Sequence, residues 1–516
     1  MTAIEVVATA VGAIGFAVAL LRWLRVAQRE HYLAGSATKF ARRWWCSTNV
    51  NVALISVAAF AAVIAFMWPV AGLVPAVVAI VAPLGLSVRG RTSRLAWTRR
   101  LRTSAAATVV IAIALVLVVG LLLDRVAAVT TATGVLAPLL VDAALWIVAP
   151  VERRLARRHT RRAAEVLERI GPTVVAITGS YGKTTTKQYA RHLMSGTRRV
   201  VASPASFNNA PGLSRAITEQ LTPGTEVFIA EMGTYGRGEI AALCEWVKPS
   251  VGVITAIGPV HLERMKSLDG IVAAKSEIFE CVETAILNID AYGLQAVADA
   301  NRVAGKRVLA CSAETESVID DAVPVDVRVV RTDGRLRVDA GDGCRAELES
   351  QAQPTNLACA VAIALAVDVP WSDIASRLDD LPRPEHRQEL AVAASGVHVI
   401  DNTFSSNPAS AESSLSLLAF TGEVDARRVV VTPGMVELGR SQYHENERFG
   451  SGASLVANDI VVVGRTNREA LLAGAAGGLA AVHTVATREE AVAWVRSQLG
   501  PGDVVLYEND LPDHHP

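Results

Sequence analysis

Acidic residues are scarce in the first 150 positions of this sequence. Only four occur there, among many arginines, and they are Glu5, Glu30, Asp124 and Asp142. The positive mean hydropathy of the chain comes largely from this region. This composition argues against an ordinary soluble domain and indicates a bilayer-spanning region.

Paired cysteines and net charge are also lacking. The six cysteines are scattered without a Cys-x-x-Cys pair. That spacing argues against a zinc ribbon or a disulfide framework and fits a reducing compartment. The formal charge of zero says nothing about nucleic acid, but no basic–aromatic signature is visible, so we expect no nucleic-acid partner. Because 516 residues are too many for one core, we expect several domains.

Apolar runs and arginine clusters alternate through residues 1–150. A bilayer core needs roughly 20 apolar residues per helix, and the block at 50–88 is long enough for two spans hinged near Pro69–Pro75. We therefore predict about five transmembrane helices. Four spans plus a re-entrant segment is an alternative, since the third span is short and contains proline. A signal peptide followed by buried soluble helices fits the repeated basic clusters less well.

The positions of the basic clusters predict an orientation. They follow the first, third and fifth predicted spans, so the positive-inside bias places the N-terminus outside and the C-terminal part in the cytoplasm of a multi-pass plasma-membrane protein. Residues 151–171 are predicted to be a basic amphipathic linker helix at the membrane surface, or an ordinary solvated helix. Asp142 lies inside the last span, where function and simple packing are both open.

Beyond the linker, strand-like runs alternate with helical ones. This predicts an α/β domain with a parallel, doubly wound sheet at 172–384 and a smaller α/β domain at 385–516, with the boundary near Pro382-Arg383-Pro384. Residues 325–348 are predicted to form antiparallel hairpins. The predicted strands are VVAIT (174–178), VFIAEMG (227–233), VGVITAIG (251–258), TAILNID (284–290), RVLAC (307–311), VHVID (397–401), RVVVTPG (428–434), DIVVVG (459–464) and DVVLYEN (503–509).

The segment VVAITGSYGKTTT (174–186) predicts a polyphosphate site. It reads as a strand, a glycine turn and the start of a helix, so that backbone N–H groups and the helix N-terminus face an anion. Lys183 would place a charge on the terminal phosphates of ATP, and the Thr184 hydroxyl would sit on Mg²⁺. The predicted nucleotide-binding residues here are Gly179, Ser180, Gly182, Lys183, Thr184 and Thr185.

Further ordered blocks accompany this loop, and together they resemble the Mur ligase family over roughly residues 170–510. The chain is most similar to the members that add D-Ala-D-Ala. The blocks that carry the resemblance are SFNNAPGLSRAI (206–217), AEMGTYGRGEIAAL (230–243), GPVHLERMKSLDGIVAAKSEIFE (258–280), DNTFSSNPAS (401–410) and GMVELGRSQYH (434–444).

The resemblance implies an ATP-dependent ligase that forms an amide through an acyl phosphate. It implies catalytic roles for Lys183, Glu231, His261 and Lys275, two Mg²⁺ ions held by Thr184, Glu231 and His261, and carbamylation of Lys275. It also implies nucleotide contacts by Asn288 (adenine) and, after domain closure, by Arg387 and Asp401. These assignments rest on the order and spacing of the blocks.

Each of these residues also has a plainer interpretation. Taken alone, Glu231 is a solvated carboxylate, His261 a loop or helix-cap residue and Lys275 a surface lysine. Asn288 and Asp401 taken alone are turn residues. Asn208 and Asn209 either contact substrate or support a turn, and both interpretations stay open.

Several features depart from the family pattern. Membrane helices replace the N-terminal uridine-nucleotide-binding domain, the usual Asp-Asp-x-Tyr-Asn-Ala-Asn-Pro becomes the segment 401–408 with Asn402 as its second residue, and Glu508-Asn509-Asp510 stands where Lys-Gly-Ser is common. The ATP machinery is thus kept while the acceptor-recognition features differ. The resemblance therefore does not identify D-Ala-D-Ala as the incoming amine or a soluble UDP-sugar peptide as the acceptor.

Three functions are compatible with these patterns. The first is a membrane-anchored ligase of cell-envelope or peptidoglycan synthesis that joins an amino acid or short peptide to a carboxylate, with an acceptor that is lipid-linked or made at the membrane. The second is a nucleotide-binding scaffold without ligase turnover. The third, a transporter, has little support because the predicted spans contain few polar residues.

Overall fold

The computed structural model describes residues 2–90, 95–204, 207–260, 262–314, 324–350, 352–382, 389–404, 406–511 and 515. The chain divides into two compact units. One comprises Met1–Leu155 with Val463–Arg468 and Asp510–Pro516, and the other comprises Ala156–Val462 with Glu469–Asn509.

The first unit is helical. Three of its described helices are long and apolar enough to cross a membrane, and a fourth crossing results if α2 and α3, bent by 114°, form one span. The prediction of about five spans is therefore wrong. The helices are α1 (Ala3–Arg29), α2 (Ser36–Trp45), α3 (Asn49–Ile64), α4 (Leu73–Val81), α5 (Arg99–Leu115, continued by a π-helical turn to Gly120) and α6 (Val126–Ile170).

The block at 50–88 accounts for the error. It forms α3, a 3₁₀ turn at Pro69–Gly72 and α4, which has only nine residues. A prolyl residue lacks an N–H and disfavours helical geometry before it, so Pro69 and Pro83 limit helix length here. The C-terminal end of α4 is closed by Arg22, whose guanidinium donates to the carbonyls of Ala79, Ile80 and Ala82.

Asp142 has a structural partner in this unit. Its carboxylate accepts hydrogen bonds from the backbone N–H groups of Ala37 and Thr38 and from the Thr38 hydroxyl. These N–H groups lie in the first turn of α2, whose own N-cap, Gly35, supplies no side chain. Asp142 therefore caps α2 from another helix, which favours the packing interpretation of this acid.

No break separates the last apolar run from the predicted linker. The helix α6 contains 45 residues and includes Pro138 and Pro150. Its last turns, with Ala163 and Leu167 buried, pack into the core of the second unit.

A nine-stranded sheet forms the first part of the second unit, in the order β2-β3-β1-β4-β5-β6-β7-β8-β9. Its strands from β2 to β7 are parallel and the last pairings, β7–β8 and β8–β9, are antiparallel, which confirms the predicted hairpins. The strands are β1 (Thr173–Thr178), β2 (Val200–Ala202), β3 (Val227–Glu231), β4 (Val251–Ile254), β5 (Thr284–Asn288), β6 (Arg307–Ser312), β7 (Val327–Thr332), β8 (Arg335–Asp339) and β9 (Arg345–Leu348).

Helices cover both faces of this sheet, as two separate apolar clusters show. On one face the Ala-rich helix α13 packs against α7. The helices are α7 (Lys183–Met194), α8 (Ala210–Gln220), α9 (Glu239–Val247), α10 (Leu262–Met265), α11 (Leu268–Ser276), α12 (Leu294–Val303), α13 (Pro354–Ala366) and α14 (Trp371–Ala375).

A six-stranded sheet follows in the order β10-β11-β15-β12-β13-β14. Its edge strand β10 runs antiparallel to its neighbour β11. The elements are β10 (Glu389–Val392), β11 (His398–Asn402), α15 (Pro408–Phe420), β12 (Arg428–Thr432), α16 (Gln442–Val456), β13 (Asp459–Val463), α17 (Arg468–Ala475), β14 (Ala481–Val485), α18 (Arg488–Gln498) and β15 (Val504–Glu508). The predicted α/β class with two sheets is confirmed, while β2, β10 and β14 escaped prediction.

Candidate active site

The phosphate loop joins β1 to α7. Gly182 adopts φ 78°, and a Cβ there would lie 2.1 Å from Asn356 Oδ1 on α13. A Cβ on Gly179 would lie 2.0 Å from Thr255 Oγ1. Both glycines are therefore required by close approach as well as by backbone conformation. The Ser180 hydroxyl accepts a hydrogen bond from the Gly258 N–H at 3.0 Å, which ties this loop to the segment after β4.

The predicted residues Lys183, Thr184 and Glu231 lie together at this loop. Lys183 Nζ donates to the Gly179 carbonyl at 2.8 Å, and the Thr184 hydroxyl donates to Glu231 Oε2 at 3.0 Å. Glu231 is the last residue of β3, so its carboxylate projects at the carboxyl edge of the sheet, where ligands of open α/β sheets bind.

Lys187 completes this cluster and was not predicted. Its ammonium donates to Glu231 Oε2 at 2.8 Å, and both side chains are almost fully buried. The sequence carried a usable signal, since Lys187 follows Lys183 by four residues and therefore shares its helix face. Burial alone would raise the pKa of Glu231, but the ammonium groups of Lys187 and Lys183 outweigh this effect and lower that pKa.

Lys275 is buried near the end of α11 and is 3% exposed. This contradicts the plain interpretation of a surface lysine. Burial, assisted by the positive charge of Lys183, lowers the pKa of Lys275 well below its ordinary value. Such surroundings favour the neutral amine, the form that reacts as a nucleophile.

Asn208 and Asn209 differ in position. The Asn208 amide lies 3.5 Å from Glu231 Oε1, at the limit of a hydrogen bond, whereas the Asn209 side chain caps α8 by accepting from the Gly212 N–H. The structure thus brings Asn208 to the site and gives Asn209 a local role as helix cap.

Asn288 and Asp290 lie at the end of β5, beside the phosphate loop. The buried Asn288 amide donates to the Thr255 carbonyl at 3.0 Å, and its Oδ1 accepts from the Asp290 N–H. Thr255 in turn donates to the Tyr181 carbonyl of the phosphate loop. A chain of hydrogen bonds therefore links Asn288 to the loop that faces the phosphates.

Tyr181 in the phosphate loop lies within electrostatic range of the domain formed by the second sheet. Burial, with a contribution from the Glu445 carboxylate on α16, raises the pKa of Tyr181. The two domains also meet where Gln353 donates to Ser413 at 3.1 Å. The second sheet is thus positioned against the nucleotide loop.

Asp401 lies at the end of β11, where its Oδ1 accepts from the Thr403 N–H and hydroxyl. This is the local turn expected from its plainer interpretation. The neighbouring Asn402 points elsewhere: its amide donates to both oxygens of the buried Glu508 at about 3 Å.

The pair Asn402 and Glu508 occupies the positions where the family pattern has an acid and a lysine. Asn509 adopts φ 66°, the conformation that the glycine of Lys-Gly-Ser would favour, and asparagine tolerates it better than most residues. Burial raises the pKa of Glu508 to about 7, against hydrogen bonds from Ser406 and Asn402 that lower it. At these two positions the chain has an asparagine and a buried glutamic acid joined by hydrogen bonds.

This pKa predicts a pH-dependent stability. A carboxyl group whose pKa is raised on folding holds more protons in the folded state, so stability falls as pH rises from 4.5 to about 7. We expect Glu508→Gln to remove that decline and to be more stable than the original protein at pH 8 by up to about 3 kcal/mol. Urea unfolding of the full chain in detergent at pH 5 and pH 8 measures the difference. Parallel pH profiles for the two proteins would contradict this prediction, and the exposed Glu423→Gln is the control.

Two predicted site residues, His261 and Arg387, lie outside the described residues. Within the described part of the chain, no group of three or more His, Cys, Asp and Glu side chains could hold a metal ion. The donor chemistry nevertheless fits Mg²⁺, because the Thr184 hydroxyl and the Glu231 carboxylate are adjacent hard oxygen donors beside a phosphate loop.

Comparisons with known proteins agree with this geometry. Residues 177–364 match the Mur ligase middle domain, and residues 386–507 match the Mur ligase glutamate ligase domain. The UDP-N-acetylmuramoyl-tripeptide–D-alanyl-D-alanine ligase of Mycobacterium tuberculosis (strain ATCC 25618 / H37Rv) is 33% identical over 384 residues, covering 69% of this chain and 74% of that protein. The Synechocystis enzyme of the same name is 29% identical and covers 67% of this chain and 73% of its own length.

Solved structures show the same fold. MurF from Acinetobacter baumannii superposes with a TM-score of 0.58 at 23% identity, covering 69% of this chain and 77% of that one. MurF ligase from Thermotoga maritima, solved in complex with ADP, gives a TM-score of 0.56 at 21% identity, covering 69% and 80%. The chain belongs to the Mur ligase family, and it is an ATP-dependent ligase that forms carbon–nitrogen bonds.

Proposed function

We propose that this protein is a membrane-anchored ligase that joins a carboxylate acceptor to an amino acid or short peptide through an acyl phosphate, on the cytoplasmic face of the plasma membrane, in peptidoglycan or related envelope synthesis. The observation that carries the proposal is the buried Glu231 carboxylate, held by Thr184 and Lys187 at the end of β3 beside the phosphate loop. Phosphoryl transfer requires such a carboxylate beside the phosphate loop, whereas simple nucleotide binding does not.

The proposed reaction has two chemical steps. An oxygen of the acceptor carboxylate attacks the γ-phosphorus of ATP, and the bond from that phosphorus to the β,γ-bridging oxygen breaks to release ADP. The amine nitrogen then attacks the acyl carbon, and the carbon–oxygen bond to phosphate breaks as the nitrogen gives up a proton. Both steps depend on positioning anions against cations, which the loop and Lys183 provide.

Mg²⁺, when bound, would neutralise charge on the phosphates and on the transferring group. We assign Thr184 and Glu231 to one ion and His261 to a second, with Lys275 carbamylated to act as an acid-like metal partner. The lowered pKa of Lys275 supports this assignment, because carbamylation requires a neutral amine. The phosphates would lie against Gly179, Ser180, Gly182 and Thr185.

The remaining assignments concern nucleotide and acceptor. We propose Asn288 for the adenine, Arg387 and Asp401 for the phosphate and ribose, and Asn208 for the acceptor, with Asn209 supporting that loop as a cap. The domains would be a membrane region at 1–150, a linker at 151–171, an ATP-binding domain at 172–384 and a C-terminal domain at 385–516. The contact between Gln353 and Ser413 supports closure of the last two around the nucleotide.

The membrane anchor is supported by helix length and composition. Three apolar helices, or four with the bent pair, precede the catalytic domains. Arginines cluster after the first of them and after the apolar part of α6, and the positive-inside bias favours a cytoplasmic position for both ends. Both ends lie on the same side with three crossings, so we propose that the bent pair α2 and α3 does not cross the membrane.

Trapping of the acyl phosphate tests the mechanism. With hydroxylamine in place of the amine, we expect the full chain in detergent to convert acceptor and ATP into ADP and a hydroxamate, and EDTA to stop both products. Lys183→Ala should lower turnover by at least about 100-fold, whereas Lys248→Ala, a surface lysine of the same domain, should not change it. ATP binding without acceptor-dependent ADP release would favour the scaffold function instead.

A further inference from the structure

A cavity of about 500 Å³ lies between the C-terminal part of α6 and helix α8. It lies entirely within the second unit, and its volume falls in the range of small-molecule sites. Its polar lining comprises two arginines, one histidine, three hydroxyl side chains and one carboxylate, namely Arg162, Arg215, His159, Thr160, Ser214, Thr218 and Glu219. The apolar side chains that line it, Ala156, Ala210 and Pro211, are small.

The charge of this lining is positive. Arg215 forms an ion pair with Glu219 at 2.9 Å. Among the residues that line the cavity, no second carboxylate balances the charge of Arg162. The same stretch of α6 contains further arginines at 153, 154, 157, 158 and 161. A recess lined in this way, on a helix of this charge, attracts anions.

Ser214 is a cavity-lining residue with a buried hydroxyl group. The residue is 4% exposed and lines the cavity, and among the described residues its Oγ has no hydrogen-bond partner. A buried hydroxyl without a partner is costly, so a ligand that supplies an acceptor oxygen would be favoured there.

The cavity is connected to the phosphate-transfer site through the start of α8. Ala210 and Pro211, which line it, begin the helix that follows Asn208, and the Asn208 amide reaches Glu231. The start of α8 therefore links the cavity to the loop that carries Asn208. In the sequence, the cavity-lining part of α6 starts at Ala156, five residues beyond Val151 at the end of the apolar run.

We propose that this cavity binds the phosphate or diphosphate group of the ligase's acceptor, with Arg162 and Ser214 as its main polar contacts. The inference rests on the proposed ligase function, and it deepens that function by assigning an anionic handle to the acceptor. A lipid-linked diphosphate and a soluble nucleotide diphosphate share this chemistry.

Direct binding tests the site. Inorganic diphosphate, farnesyl diphosphate and uridine diphosphate are titrated by calorimetry into the full chain in detergent, in a Lys183→Ala background that disables the phosphate loop. We expect Arg162→Gln to weaken binding about tenfold or more and Ser214→Ala about threefold. Arg157→Gln, on the opposite side of the same helix, should leave the affinity unchanged.

The comparison of ligands identifies the source of the group. Tighter binding of farnesyl diphosphate supports a lipid-linked acceptor, and tighter binding of uridine diphosphate supports a soluble one. Affinities that neither Arg162→Gln nor Ser214→Ala changes, or no binding at all, overturn the site. Should Arg162→Gln fail to fold, Ser214→Ala decides.

Failure of the ligase function is distinguishable from failure of this site. If diphosphate binding depends on Arg162 but no hydroxamate forms, the ligase mechanism is contradicted and the anion site is supported. If hydroxamate forms and Arg162→Gln leaves the KM for the acceptor unchanged, the ligase function is supported and the proposed site is contradicted.

Discussion

Glu231→Gln is expected to destabilise the protein by about 3–5 kcal/mol and to reduce ligase turnover below detection. The buried Lys187 ammonium donates to the carboxylate at 2.8 Å. A glutamine of the same shape leaves that charge in a low-dielectric site without its counter-charge. Turnover falls separately, because the amide is a weaker ligand for Mg²⁺ than the carboxylate beside Thr184. Thermal unfolding of the full chain in detergent and hydroxamate formation measure the two effects.

A second substitution separates these two effects. Lys187→Met in the Glu231→Gln protein removes the stranded charge, and we expect it to restore most of the lost stability while turnover stays absent. Glu168→Gln is the matched control, because Glu168 pairs with Lys248 on the surface at the same 2.8 Å. Its loss should cost no more than about 1 kcal/mol. Equal destabilisation by the buried and the exposed substitution would show that the Glu231 environment is not the one described.

The sequence was sufficient for much of the fold because its strands are short, buried and β-branched. Runs such as 251–258 and 459–464 are apolar at nearly every position, which is typical of strands buried on both faces of a parallel sheet. The missed strands are of a different kind: β2 has three residues and β10 and β14 are edge strands. An edge strand is covered less fully and carries a weaker apolar pattern.

The membrane region shows where hydropathy is insufficient. Hydropathy measures how apolar a segment is, whereas a span also needs an unbroken helix of adequate length. Pro69 and Pro83 break the block at 50–88 into short elements. The number of spans predicted from composition is therefore larger than the number that the backbone forms. Pro138 and Pro150 do not break α6, and composition alone does not separate the two cases.

The site was predictable in its residue types and not in their environments. Lys183, Thr184 and Glu231 follow from motif order, and the structure brings them together. The burial of Lys275 and the pairing of Lys187 with Glu231 depend on which helix faces meet, and this is fixed by packing between elements far apart in the chain. The hydrogen bond between Asn402 and Glu508 likewise joins positions 106 residues apart.

Lys275→Met is expected to lower turnover by at least about 100-fold without lowering stability, a combination that a merely structural lysine would not produce. In the folded protein burial holds the pKa of Lys275 well below its ordinary value of 10.5, so the unfolded state binds more protons between those two values. Stability of the original protein therefore rises with pH across that window, and the cost of the lysine is present at neutral pH and lost toward pH 10. A methionine has no such cost and has a similar length, so the variant should be at least as stable at pH 7.

The activity of the same variant tests the carbamate. Loss of a metal-positioning group typically costs 10- to 100-fold, and we expect at least about 100-fold here because the site offers few other carboxylates. Bicarbonate should raise the melting temperature of the original protein in EDTA and leave that of Lys275→Met unchanged, since only a neutral amine reacts with carbon dioxide. Labelled bicarbonate should give a carbamate signal by ¹³C NMR in the original protein alone. A fully active methionine variant would remove Lys275 from the mechanism, and a signal present in both proteins would assign the carbamate to another amine.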